Sequence, residues 1–287
     1  MSLSHTLQLH INQLREIHSI LNAMKNLALM EVRKLKRVKS MQSHVVAHVE
    51  GVALDFLYHY PEFAKQPSSL LHLGVMLGAE RGFCGDFNER LVQEMAGEAF
   101  SLIIAIGHRL GNHLDNTGIE VYAKMGGANV AEEVPEIINY LLETIRALLD
   151  SRSEQGGALS TLALTLVYHD SATNQIRKKR LLPAFLLENP EVIPVGGMPP
   201  ILNLSPSDFY ADLLEHYLLV VLHAIFYSSL AVENQQRLQH LEGALKHIDD
   251  DVIKLQRKSQ IYRQEEITEE IEVILLNGSV ESSCCGQ

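Results

Sequence analysis

The residues best suited to chemistry lie between Gly78 and Asp86, where Gly78, Gly82 and Gly85 surround Glu80, Arg81 and Cys84. A glycine turn between a strand and a helix is where nucleotide phosphates bind, because free backbone N–H groups and the helix dipole both point at the anion. This run lacks the closing Gly-Lys-Ser/Thr of a phosphate-binding loop and the spacing of a dinucleotide fingerprint. The reading preferred here is a tight structural turn in which Gly82 and Gly85 supply positive φ angles. Cys84 is the one candidate nucleophile, but no His or Asp stands at a recognisable spacing from it. The fourteen histidines are scattered. His5, His10 and His18 share no helical face, and His44 and His48, four apart, lack a third ligand. No metal and no cofactor is expected. The adjacent Cys284 and Cys285 sit in a polar tail; with Cys84 they make neither a disulfide framework nor a zinc spacing, which points to a reducing compartment.

The sharpest charge feature is a basic run, Lys25, Arg33, Lys34, Lys36, Arg37 and Lys39, opposed only by Glu31. It stands in a chain of net charge −11, a balance that argues against general attraction to nucleic acid or anionic lipid. Such a run is either a solvated helix face or a contact for an acidic partner.

The elements that must position these residues follow from the helix breakers. All nine prolines fall between Pro61 and Pro206, and before Pro61 the sole glycine is Gly51. Proline inside a helix costs about 3 kcal/mol and glycine about 1, so both terminal stretches are predicted to be long helices. Apolar residues recur there at 3.5-residue spacing. One seam runs Leu14, Ile17, Leu21, Met24, Ala28 and on to Phe56, broken by Glu31 and Gln42. The other runs from Leu213 to Tyr262, broken by Asn234 and Ser259. An unbroken 3.5 period makes a left-handed coiled coil. At 1.5 Å per residue the first helix would run about 80 Å and the second about 100 Å, forming an antiparallel rod.

Between them the pattern is α/β. Strands are predicted at Leu70–Leu77, Leu102–Ile106, Ile119–Tyr122 and Leu159–His169, with an extended run near Leu181–Leu187. Helices are predicted at Phe87–Gly97 and Glu133–Leu149. A mainly parallel sheet with an antiparallel edge follows. The domains are then 1–60, a first coiled-coil helix; 68–188, an α/β domain; 189–207, a linker; and 208–287, a second coiled-coil helix with a polar tail. The uncharged run between Glu215 and Glu233 is read as a buried helix rather than a membrane span.

Three blocks carry a resemblance to a known family. The segment from Asn22 to Arg33 resembles the opening helix of the gamma subunit of F-type ATP synthases. The turn Glu80–Gly85, with Phe87 and Asn88, is similar to that family's asp-arg-gly-leu-cys-gly turn. Ser229–Asn234, Arg237 and the run Tyr262–Ile271 resemble its closing helix, with its arg-gln-x-x-ile-thr-x-glu element. The resemblance implies a non-catalytic rotor shaft: a two-helix coiled coil of the termini, carrying an inserted Rossmann-like α/β domain. Its implied partners are the alpha and beta subunits of the catalytic head, an epsilon-type subunit and the membrane rotor ring. The implied beta contacts are Met24, Lys25, Arg33, Lys34, Lys36, Arg37, Arg237, Arg263, Gln264 and Thr268. Gly82, Cys84 and Gly85 are the implied structural turn. The placement is peripheral, on the cytoplasmic face of a prokaryotic plasma membrane, since no signal or transit peptide is read at the N-terminus. Glu31, where the family usually carries lysine, and the polar C-terminal tail are departures such as a divergent branch, for example the alternative sodium-type ATPases, would show. Two other readings are a coiled-coil scaffold of another assembly and a nucleotide-dependent enzyme using the Gly78–Gly85 turn.

Overall fold

The computed structural model describes residues 3–64, 71–95, 100–151, 162–185 and 200–284. Helix α1 spans Leu3–His59 and helix α5 spans Pro206–Cys284, 57 and 79 residues. The first ends two residues before Pro61, with Tyr60 between. The second opens with Pro206, whose missing N–H and fixed φ suit a first helical turn. Ser205 caps it: its Oγ accepts from the Asp208 N–H at 3.2 Å. Helix α5 continues to Cys284, so the expected polar tail is helical up to that residue; Cys285 and most of the 189–207 linker lie outside the described residues.

The chain divides into two compact units, residues 1–27 with 238–287, and residues 28–237. The inner halves of both terminal helices therefore belong to the α/β unit, a division different from the helix-by-helix boundaries read from sequence. In the smaller unit, α1 and α5 pair antiparallel. Ser4 Oγ donates to Glu266 at 2.7 Å, His18 meets Asp249 at 3.4 Å, and Leu21 packs with Leu241 and Leu245. Leu241, Leu245, Ile248, Val252 and Leu255 are all buried or half-buried, and the seam expected of α5 is present here. On α1, Leu21, Ala28 and Leu35 are buried and Met24 is half-buried against the Leu241 cluster, whereas Ile17 is 45% exposed.

The α/β unit is a five-stranded sheet of order β3-β2-β1-β4-β5. Its strands are β1 Leu71–Leu77, β2 Leu102–Ile106, β3 Ala123–Met125, β4 Leu162–Asp170 and β5 Gln175–Leu182. The first four in that order are parallel, and β5 returns antiparallel against β4. Helices α2 (Phe87–Met95) and α3 (His108–Thr117) cover one face; α4 (Val134–Ser151) and the inner parts of α1 and α5 cover the other. Burial on both faces explains the near-continuous apolar strands β1 and β4.

Three expectations are corrected. Helix α3 was not foreseen, because only Leu110, Gly111 and Leu114 face inward in a polar decapeptide. Strand β3 lies just after the expected 119–122. Strand β5, antiparallel to β4 as expected of the runs joined across Asp170–Gln175, is the basic run Gln175–Leu182 and overlaps the expected 181–187 only at Leu181 and Leu182; as an edge strand it faces solvent along most of its length, which removes the apolar signal.

Candidate functional site: the glycine turn latched to the closing helix

The Gly78–Asp86 turn leaves the C-terminal end of β1 and leads into α2. Gly78 is required by packing, since a Cβ there would lie 2.3 Å from the Leu110 Cβ. The Ala79 N–H donates to Asn88 Oδ1 at 2.9 Å, tying the turn to the helix it opens. The left-handed residues are Phe83 (φ 64°) and Gly85 (φ 59°). Gly82, expected to share that role, has no positive φ; the nearest group to where its Cβ would be is the flexible end of exposed Arg109, at 3.2 Å.

Glu80 holds three loops together. Its Oε2 accepts the backbone N–H of His108 at 3.0 Å and of Gly127 at 2.7 Å, and its Oε1 pairs with His108 Nδ1. Burial opposes ionisation of this carboxyl, but the two amides and the imidazole outweigh it and hold it below the usual range. The donors at the start of α3 are those a phosphate would use in a nucleotide fold. Here the chain's own carboxylate occupies them, which weighs against the nucleotide-enzyme reading.

The other side of the turn is fastened to α5. Arg237 and Glu233, 6% and 4% exposed, form a buried ion pair one helical turn apart. Arg237 Nε donates to Gly82 O at 3.3 Å, Nη1 to Asn234 Oδ1 at 2.9 Å and Nη2 to Cys84 Sγ at 3.4 Å. Glu233 also accepts the amides of Glu80 and Arg81; burial nevertheless pushes its carboxyl up to about 7 against these favourable partners. The Cys84 thiol, buried and facing Glu233, is pushed up to about 12. A thiol so placed stays protonated at neutral pH and is no nucleophile. Two of the sequence blocks, Glu80–Gly85 and Ser229–Arg237, thus form one structural latch. Asn234, which breaks the apolar seam, is one of its members.

The expected partner contacts divide by what they already hold. The Arg237 guanidinium is buried in the latch, 6% exposed and engaged within the chain. Lys34 pairs with Glu132 and Glu31, and Lys39 donates to Ser171 Oγ at 2.7 Å. Glu31 accepts the Ala131 N–H at 3.2 Å, so the polar break in the α1 seam fastens the loop before α4. Met24 packs on the Leu21–Leu241–Leu245 cluster, and Lys25 is half-buried. Arg33, Lys36 and Arg37 remain exposed, as do Arg263, Gln264 and Thr268 on the outer part of α5. Glu80 was read only as part of the glycine turn and Glu233 only as part of the closing-helix block, and His108 was not named; for Glu233 and Arg237, i,i+4 spacing at the edge of an uncharged stretch was the available signal.

The family described as ATP synthase matches residues 4–277. Among curated relatives, the ATP synthase gamma chain of Frankia casuarinae is 25% identical over 281 residues, covering 91% of this chain and 94% of that one. That of Clostridium beijerinckii is 23% identical, covering 92% and 93%. In fold, the chain is similar to one from the OSCP/F1/c-ring structure of the Euglena gracilis mitochondrial ATP synthase: TM-score 0.62, 15% identity, 99% and 96% covered. It also resembles one from the Tetrahymena thermophila central stalk and c-ring: TM-score 0.53, 16% identity, 78% and 99% covered. With the family matched almost from end to end, the chain belongs to the ATP synthase family as a gamma subunit of the F-type central stalk, a non-catalytic part of that complex.

Proposed function

We propose that this gamma subunit is the rotating shaft of its complex, turning within a ring of alpha and beta subunits and shifting the state of catalytic sites it does not contain. The observation that carries this reading is the antiparallel pairing of its two termini, from Ser4 with Glu266 to Leu21 with Leu241, inside a family match spanning 4–277. Two packed helices resist bending and twisting better than one, and their unlike outer faces offer each surrounding site different contacts. Only such differential contacts can shift a neighbour's conformational equilibrium.

The α/β unit is the part we assign to an epsilon-type subunit and the membrane rotor ring. Helix α5 contains a stretch long and apolar enough to cross a membrane, with mean hydropathy 1.5, but half of it is buried inside the molecule. We read it as core, and the chain as peripheral on the cytoplasmic face of a prokaryotic membrane, in line with the bacterial curated relatives. For beta contacts we retain Met24, Lys25, Arg33, Lys36 and Arg37, and for contacts near the end of α5 Arg263, Gln264 and Thr268. Lys34 and Arg237 are set aside because their charges are engaged within the chain.

The test uses the assembled complex carrying Arg33→Glu with Arg37→Glu. Both side chains are exposed and bonded to nothing among the described residues, so stability should change by no more than about 0.5 kcal/mol. Ions pumped per ATP hydrolysed should fall. Full coupling with both charges reversed would reject the electrostatic contact.

A further inference from the structure

A cleft of about 370 Å³ opens between α1, the turn joining β4 to β5, and α5, all within the α/β unit. Its polar lining is Lys36, Lys39, Ser171, Asn174 and Gln235, and no carboxylate lines it. In a chain of net charge −11 such a one-sided lining is unusual. Its floor is apolar, made by Val32, Leu35, Ala231 and Val232.

The donors are partly fixed in place. Lys39 Nζ donates to Ser171 Oγ at 2.7 Å, and Ser171 is itself held by Ser228, with its N–H on Ser228 Oγ at 2.9 Å. Ser228 Oγ in turn donates to Asp170 Oδ1 at 3.3 Å. This chain of bonds anchors Lys39 beside the cleft while leaving two of its three ammonium hydrogens unused. Lys36, Asn174 and Gln235 make no side-chain hydrogen bond among the described residues. Asn174 sits at φ 54°, a left-handed turn position that sets its amide at the cleft rim.

We infer that this cleft is a binding site for a small phosphate ester: an oxyanion carried on a compact apolar body. Two ammonium groups and two carboxamides would hold the phosphate oxygens through charge-assisted hydrogen bonds. The apolar floor would cover the body, in the usual manner of a small-molecule pocket with a few convergent polar groups. The site is separate from the Glu80 clamp, whose donors are already filled.

Phenyl phosphate is the probe, titrated calorimetrically into the full chain at low ionic strength, beside inorganic phosphate and uncharged phenol. Phenyl phosphate should bind at least about tenfold more tightly than either, since each of those lacks one half of the recognised chemistry. Lys36→Gln and Asn174→Gly should each weaken it severalfold. Glycine keeps the left-handed turn at position 174, so that variant removes the amide without straining the fold. Arg146→Gln, on the exposed face of α4, should leave binding unchanged. Phenol binding as well as phenyl phosphate, or phenyl phosphate binding unaltered by both cleft substitutions, overturns the proposal. Lys36 is also one of the proposed beta contacts but Asn174 is not, so the Asn174→Gly arm tests the cleft alone, and its failure leaves the shaft reading standing.

Discussion

Removing Arg237 should unfasten the glycine turn from α5, and the cost can be worked from the contacts it makes. Arg237→Ala deletes the partner of Glu233 and four donated hydrogen bonds, to Gly82 O, Asn234 Oδ1, Cys84 Sγ and Glu233 itself. Glu233 then remains 4% exposed with two backbone amides but no counter-charge. Breaking one side of a buried pair costs about 3–5 kcal/mol. At roughly 2–4 °C per kcal/mol for a unit of this size, the melting temperature of the isolated chain should fall by about 6–20 °C. Glu233→Leu should cost a similar amount, because it buries an unpaired guanidinium. The double variant, Glu233→Leu with Arg237→Met, leaves no charge behind but still strands the Glu80 and Arg81 amides. Its loss should therefore fall short of the sum of the singles by about 2–3 kcal/mol. A local assay accompanies the melts: Cys84, 5% exposed, should react with a thiol reagent many times faster in Arg237→Ala than in the parent chain. Strictly additive losses, or an unchanged Cys84 labelling rate, would refute the latch.

Two further outcomes follow from buried groups. His169 is fully buried, stacked on Phe87 with its Nε2 on Phe87 O at 2.9 Å, and burial depresses it from 6.5 to about 4. Between those values the unfolded imidazole takes a proton and the folded one does not, so stability falls as pH drops from about 6.5 to 4, by roughly 3 kcal/mol; His169→Phe should flatten that part of a stability–pH curve, and an unchanged slope would show that His169 does not set it. Gly78→Ala drives a methyl to 2.3 Å from Leu110 Cβ and should cost about 1–3 kcal/mol in urea unfolding; an unchanged midpoint would show that this close packing is not required.

How much of this was legible beforehand depends on whether the signal is local. Proline and glycine placement gave both terminal helices, since breakers act on the residues beside them whatever the tertiary context. The seam of α5 past Leu241 was legible because it meets one partner, so a single stripe is apolar. Between Leu213 and Arg237 the same helix is covered on several sides, and the 3.5-residue pattern dissolves into general burial. Helix α3 and strand β5 were missed or misplaced because each buries few residues, leaving periodicity little to record.

The amino-acid sequence alone determined the long helices, the α/β character of the middle, and the family, because breakers, period and motif identity are properties of the chain read in order. Only the tertiary structure decided which charges are free. Glu31, Lys34, Glu80 and Arg237 carry the same formal charges as their exposed neighbours; spacings of three and four allow the Glu31–Lys34 and Glu233–Arg237 pairs without saying which is buried or what else it holds. That depends on residues about 50 to 150 positions away meeting them in space, at separations where a pairing partner cannot be read from one strand of text.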